Sequence, residues 1–172
     1  MKYETITIII TIFIIFAYAL VSLNSSKEEV TTFVTERTVS TKEDMLFNYD
    51  IIKYPSSAQV VDTTINDTKI QLGVNIDPTG INFGIMPGNG SFSKRFINLT
   101  NTEDKDVKVF IEAFGSIEPY VNFSMNGFVL RGKEKVVVKA SFYTTEATIG
   151  NYSGEIDIIT KKPKYDFAYL LW

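Results

Sequence analysis

The chain contains neither cysteine nor histidine. Without cysteine there are no disulfides, no thiolate metal sites and no thiol nucleophile. Without histidine there is no imidazole ligand, no Ser-His-Asp triad and no side chain whose ordinary titration falls near neutrality. An excess of positive charge is missing too. Lys and Arg number 17 against 20 Asp and Glu, for a net charge of −3 and a pI of about 5.1, so a nucleic-acid-binding face is not expected. These absences remove most common enzyme chemistries; no catalytic residue, cofactor or metal is assigned. What is present is 45% hydrophobic residues in a chain of 172. That suffices for one packed domain plus an appendage.

The appendage is residues 6–23, ITIIITIFIIFAYALVSL, an uncharged run. As a helix it spans roughly 27 Å, close to the ~30 Å hydrocarbon core of a bilayer. Thr7, Thr11 and Ser22 can return their hydroxyls to the preceding turn and are tolerable in lipid. The run reads as a transmembrane signal anchor, with residues 1–5 as a cytoplasmic N-terminus. The rival is a cleaved secretory signal, with Lys2 before the apolar stretch and Ala17-Tyr18-Ala19 as the cleavage site. Lysines and arginines flank the run on both sides, so they do not set its orientation.

N-x-[ST] occurs six times, at Asn24, Asn66, Asn89, Asn98, Asn122 and Asn151. Eleven Asn and 30 Ser/Thr in this length would produce about two by chance. If the sites carry glycans, residues 24–172 lie outside the cytoplasm.

Residues 24–42 hold eight Ser/Thr and six charges. With residues 43 and 44 they read as a solvated stalk that can pair locally as an extended strand. Residues 45–172 read as the extracytoplasmic body. Segments 45–54 and 58–76 read as strands, with Pro55-Ser56-Ser57 as a break. From Asp77 on, turn residues recur every eight to twelve positions, as in an all-β sandwich. Alternation puts Ile97 and Leu99 on one face of 95–100. Likewise Val107, Val109, Ile111 and Ala113 share a face of 107–113, and Val136, Val138, Ala140 and Phe142 a face of 135–142. In 152–158 the apolar Tyr152, Ile156 and Ile158 oppose Ser153, Glu155 and Asp157, which are expected at solvent. Asn98, Asn122 and Asn151 likewise fall opposite the apolar positions, while Asn66 and Asn89 fall in or beside turns.

Other candidates have structural readings. The PGNGS loop lacks the spacing of a phosphate cradle. Asn101, Glu103, Asp104 and Asp106 carry calcium-type oxygens but not the spacing of an EF-hand loop, and Lys105 interrupts them. Tyr152 is a candidate for a tyrosine corner. The tail Tyr165–Trp172 is apolar and too short to span a bilayer; it reads as a terminal strand, with docking on lipid or on a partner as the alternative.

The run DPTGINFGIMPGNGSFSKRFINLTN carries Phe83-Gly84, Gly88 and Asn101 in the order of a strand, a turn and a strand ending in Asn. In this, and in FVLRGKEKVVVKASF followed by GNYSGEIDI, residues 77–160 resemble Ig-like modules of the Hydin (ASH) type. The resemblance implies an Ig-like antiparallel sandwich in a structural or binding module, of a kind that recurs in extracytoplasmic proteins of archaea and bacteria, with no catalytic residues to carry over. The expectation is therefore an all-β, Ig-like antiparallel β-sandwich preceded by one N-terminal transmembrane helix. It would be held in the cell membrane by residues 6–23, face a protein or envelope partner, and bind no nucleic acid. A secreted filament subunit, pairing a strand near Val30–Val39 with its neighbour's sheet, is the alternative. An envelope carbohydrate-active enzyme is the third reading.

Overall fold

Nine strands form among the described residues, most of them where apolar residues alternate with polar ones. The structure, a computed structural model, describes residues 32–62, 79–88 and 90–171. They belong to one unit that begins at Thr32. The strands are β1 (Thr38–Glu43), β2 (Phe47–Val61), β3 (Ile81–Pro87), β4 (Phe92–Thr100), β5 (Val107–Gly115), β6 (Val121–Phe123), β7 (Phe128–Leu130), β8 (Lys135–Tyr143) and β9 (Gly150–Pro163). One sheet runs β1-β2-β9-β5-β7, with β3 also on β2; the other runs β4-β8-β6. Residues of both sheets share one core, so the body is a mostly antiparallel β-sandwich.

The expected faces hold. Val107, Val109 and Ile111 of β5, Val138, Ala140 and Phe142 of β8, and Tyr152, Ile156 and Ile158 of β9 are all buried. Phe142 is fully buried between Phe83, Tyr120 and Tyr152, with ring centroids 5.6–5.7 Å away. Each large apolar side chain among these contributes roughly 1.5–3 kcal/mol by leaving water, with aromatic contacts adding to it.

Three details of the architecture differ from expectation. Residues 47–61 are one continuous strand, not two interrupted at Pro55. On one edge of β2, β1 pairs as far as Lys53 and β3 begins at Ser56. Pro55 sits in that gap, where a missing N–H leaves no ladder bond unmade on that side. The β2–β3 pairing is parallel, an exception to the antiparallel expectation. Residues 38–43 of the expected stalk pair as strand β1 with β2, as the extended reading of that segment allowed, and are exposed throughout. The tail is a 3-10 helix, Asp166–Leu171, and not a strand. β9 ends at Pro163, which has no N–H to continue a ladder. Among the described residues of the tail, Ala168 alone is buried.

Residues 6–23, the expected anchor, and most of 58–76 lie outside the described residues. Among those described, no helix is long and apolar enough to cross a membrane.

Gly154 fixes how close β5 and β9 come: a Cβ there would run into the Phe114 carbonyl oxygen. Gly154→Ala is expected to prevent formation of the β5–β9 ladder, read as loss of amide protection along both strands. Phe142→Ala is expected to lower stability by about 3–5 kcal/mol in urea titration, the usual cost of emptying an aromatic site in a core.

Candidate functional site

The sequence-marked residues fall at separate places. Asn98 and Asn122 lie on the outer face of the small sheet and Asn151 on the outer face of the large one; all three are exposed. Asn24, Asn66 and Asn89 lie outside the described residues.

The acidic turn after β4 is a structural joint. Asn101 is buried, and its Nδ2 donates to the carbonyls of Lys105 (2.8 Å), Leu130 (3.2 Å) and Arg131 (3.0 Å). Its Oδ1 accepts from the Glu103 amide at 3.0 Å. Glu103 pairs with Lys162, Asp104 with Lys133, and Asp106 accepts from the Gly132 amide. These carboxylates point to different partners, and among the described residues no three acidic side chains gather as a metal site. Tyr152 does form the expected corner: its hydroxyl donates to the Thr148 carbonyl at 2.6 Å.

A cleft of about 400 Å³ opens between the large sheet and edge strand β4 of the small one. Its walls are Ile52, Tyr54 and Ile158 on one side and Ile97 and Leu99 of edge strand β4 on the other. At its rim Lys162 lies 2.6 Å from Asp50 and 2.5 Å from Glu103. Burial works against the Lys162 ammonium, but these two carboxylates outweigh it and raise its pKa. Arg37 lies over the Tyr54 ring at 5.6 Å and donates to its hydroxyl at 3.2 Å.

A second polar cluster is on the opposite, outer face of the large sheet, where Glu155 and Asp157 were expected at solvent. Glu155 is fully buried and Asp157 is 5% exposed. Register creates the cluster. Thr38 is opposite Lys53, Lys53 opposite Asp157, and Asp157 opposite Glu112, one row across β1, β2, β9 and β5. The adjacent row sets Glu155 between Pro55 and Phe114; the row on the other side sets Ile159 between Ile51 and Phe110. Lys53 Nζ lies 2.9 Å from Glu155 Oε1 and 3.3 Å from Asp157 Oδ2. Glu155 Oε2 accepts from the Val34 amide at 3.0 Å, tying the segment before β1 across this face. Asp157 Oδ1 is buried without a hydrogen bond.

The electrostatics follow. Burial pushes the Asp157 carboxyl up to about 6; Lys53 pulls against this, and Glu155 and Glu112 add to it. Burial opposes the Lys53 charge, but Glu155 and Asp157 prevail and raise its pKa. Sequence periodicity missed this cluster because alternation gives the face of a side chain and not what covers that face. The available signal was Lys53 amid Ile51, Ile52 and Tyr54, and two acids alternating with isoleucines.

Comparison with protein-family models and with curated proteins returns no match for this chain.

Asn101→Ala removes the donor serving three carbonyls and is expected to cost about 2–3 kcal/mol, read from the chemical denaturation midpoint. Lys53→Ala leaves two carboxylates buried together and is expected to destabilise by about 3–5 kcal/mol at neutral pH. The stability of that variant should rise as pH falls from 7 to 5. Over that range folded Asp157 takes up a proton while an unfolded Asp, with its pKa of about 3.9, stays ionised, so the folded state binds more protons.

Proposed function

We propose that the chain is a single-pass membrane-anchored protein of the cell surface, whose extracytoplasmic Ig-like β-sandwich binds or scaffolds a protein or envelope partner without catalysis. The observation that carries this reading is the exposure of every described sequon, Asn98, Asn122 and Asn151. A glycan cannot enter a core, and at each of these positions it meets water. The uncharged run 6–23 supplies the anchor.

The likeness to Hydin-type modules draws support from what its residues do. Phe83 packs 5.7 Å from Phe142, Gly84 takes a φ of +84° that favours glycine, and Asn101 staples the turn after β4. A binding role draws support from the cleft beside β4, whose mixed apolar wall and charged rim suit an extended chain or another narrow ligand.

A second reading, a secreted subunit assembling by strand addition, is favoured by β1, which lies at Thr38–Glu43 and overlaps the expected Val30–Val39 segment only at residues 38 and 39. This strand is exposed along its whole length and held through one edge to β2. The same six pairs made with a neighbour's β2 would join two copies.

Protease treatment of intact cells is expected to release the body while cytoplasmic proteins survive. A triple Asn98→Gln, Asn122→Gln, Asn151→Gln variant should migrate faster than the wild type on gels. Protection of the body from protease in intact cells, together with unchanged mobility, would overturn the topology. N-terminal sequencing separates the two readings: an intact Met1 supports the anchor, and a start at Leu20 supports the secreted subunit.

A further inference from the structure

We propose that Lys53 and Asp157 are the two halves of a self-catalysed intramolecular amide cross-link, with Glu155 as the proton carrier between them. Three observations carry it. The first is register. Lys53 and Asp157 are directly opposed on neighbouring antiparallel strands, the arrangement that brings cross-strand side chains within about 5 Å at Cβ. The long lysine stem meets the short aspartate, and Nζ comes to 3.3 Å from Oδ2.

The second observation is the third member. Glu155 lies two residues before Asp157 on the same face of β9, fully buried, with Oε1 2.9 Å from the same Nζ. Its other oxygen is held by the Val34 amide. That leaves Oε1 to exchange protons with the amine, as a general base must.

The third is the environment. Pro55 and Phe114 flank the cluster on one side and Ile51, Ile159 and Phe110 on the other, so apolar groups border it along the strands. Low dielectric favours neutral species over ions. Asp157 Oδ1 has no hydrogen bond to hold the carboxylate charged, and burial already raises its pKa. An ion pair in such a place bears a desolvation cost that a neutral amide does not.

The chemistry balances without an added reagent. Lys53 passes a proton through Glu155 to Asp157, leaving a neutral amine and a neutral carboxyl group. The Nζ lone pair attacks Asp157 Cγ and the N–C bond forms. Glu155 takes a second proton from Nζ and delivers it to the leaving hydroxyl. The C–O bond breaks and water departs. One ammonium and one carboxylate become one amide and one water, with nothing oxidised or reduced. The product joins β2 to β9 covalently and encloses β3–β8 in one loop. A chain without cysteine would gain the unfolded-state constraint that a disulfide otherwise provides.

The test is the intact mass of the purified full-length chain in detergent, followed by proteolysis and tandem mass spectrometry. The expected result is a mass one water below that calculated for the recovered polypeptide, and a branched peptide joining the Lys53 and Asp157 fragments. Lys53→Arg keeps the charge but has no attacking amine, and should show the full mass. Glu155→Gln keeps the shape but cannot carry the proton, and should also show it. Asp157→Asn should lose ammonia in place of water at the same junction. Wild-type protein with protected β2 and β9 amides and the full calculated mass would overturn the proposal. So would a water loss that persists in Lys53→Arg, which would mark dehydration elsewhere in the chain.

Discussion

The antiparallel ladder between β2 and β9 joins fourteen residue pairs, from Phe47–Pro163 to Val60–Gly150, and the rest of the body is arranged around it. It is long enough to have two functions along its length. At the Val60 end its inner face carries Ala58, Val60, Tyr152 and Ile156, which pack under β8 as the core. Toward the Phe47 end Asp50, Thr160 and Lys162 line the cleft that faces β4. The strands that β2 accepts on its other edge, β1 below and β3 above, are fixed by the same strand. A slip of one residue in β2 would turn Ala58 and Val60 out of the core and Gln59 into it.

That ladder also decides where charge is buried. Lys53, Glu155 and Asp157 are drawn from positions a hundred residues apart and become neighbours only through its register. Their desolvation is tolerated because the lysine reaches both carboxylates and a backbone amide completes the shell of Glu155. The segment before β1 is thereby tied to the body by a main-chain contact that its Ser/Thr-rich composition did not announce. The rim of the cleft is built differently, from exposed and half-exposed ions around Lys162, where screening by water weakens each pair.

Side-chain amides close the irregular parts. Asn101 serves three carbonyls between two turns, and Asn126 pairs both backbone groups of Ile111 at 2.8 Å where β7 has not yet begun. Thr144 donates to the carbonyls of Pro87 and Ser91, joining the turn after β3 to the end of β8. Such residues look like ordinary polar loop residues in a sequence. Their value comes from buried carbonyls that would otherwise lack partners.

Much of the sandwich was readable from the sequence. Val107, Val109 and Ile111, or Val138, Ala140 and Phe142, alternate with polar residues strictly enough to specify strand and face together, because a strand turns successive side chains to opposite sides. The tyrosine corner was legible too, since Tyr152 has few places to send a hydroxyl at a strand opening. Pro55 misled because proline stops a ladder only where a neighbour needs its N–H, and neighbours are not written locally. Tail aromatics misled because apolar composition does not say whether a surface remains to cover it. The sequence by itself thus determined the strands, their inward faces and the exclusion of thiol and imidazole chemistry, all of which depend on residue type and on separations of a few positions. Only the tertiary structure decided the parallel β3 and the cleft. It alone decided the meeting of Lys53, Glu155 and Asp157, because contact across a sheet is set by register between strands far apart in the chain.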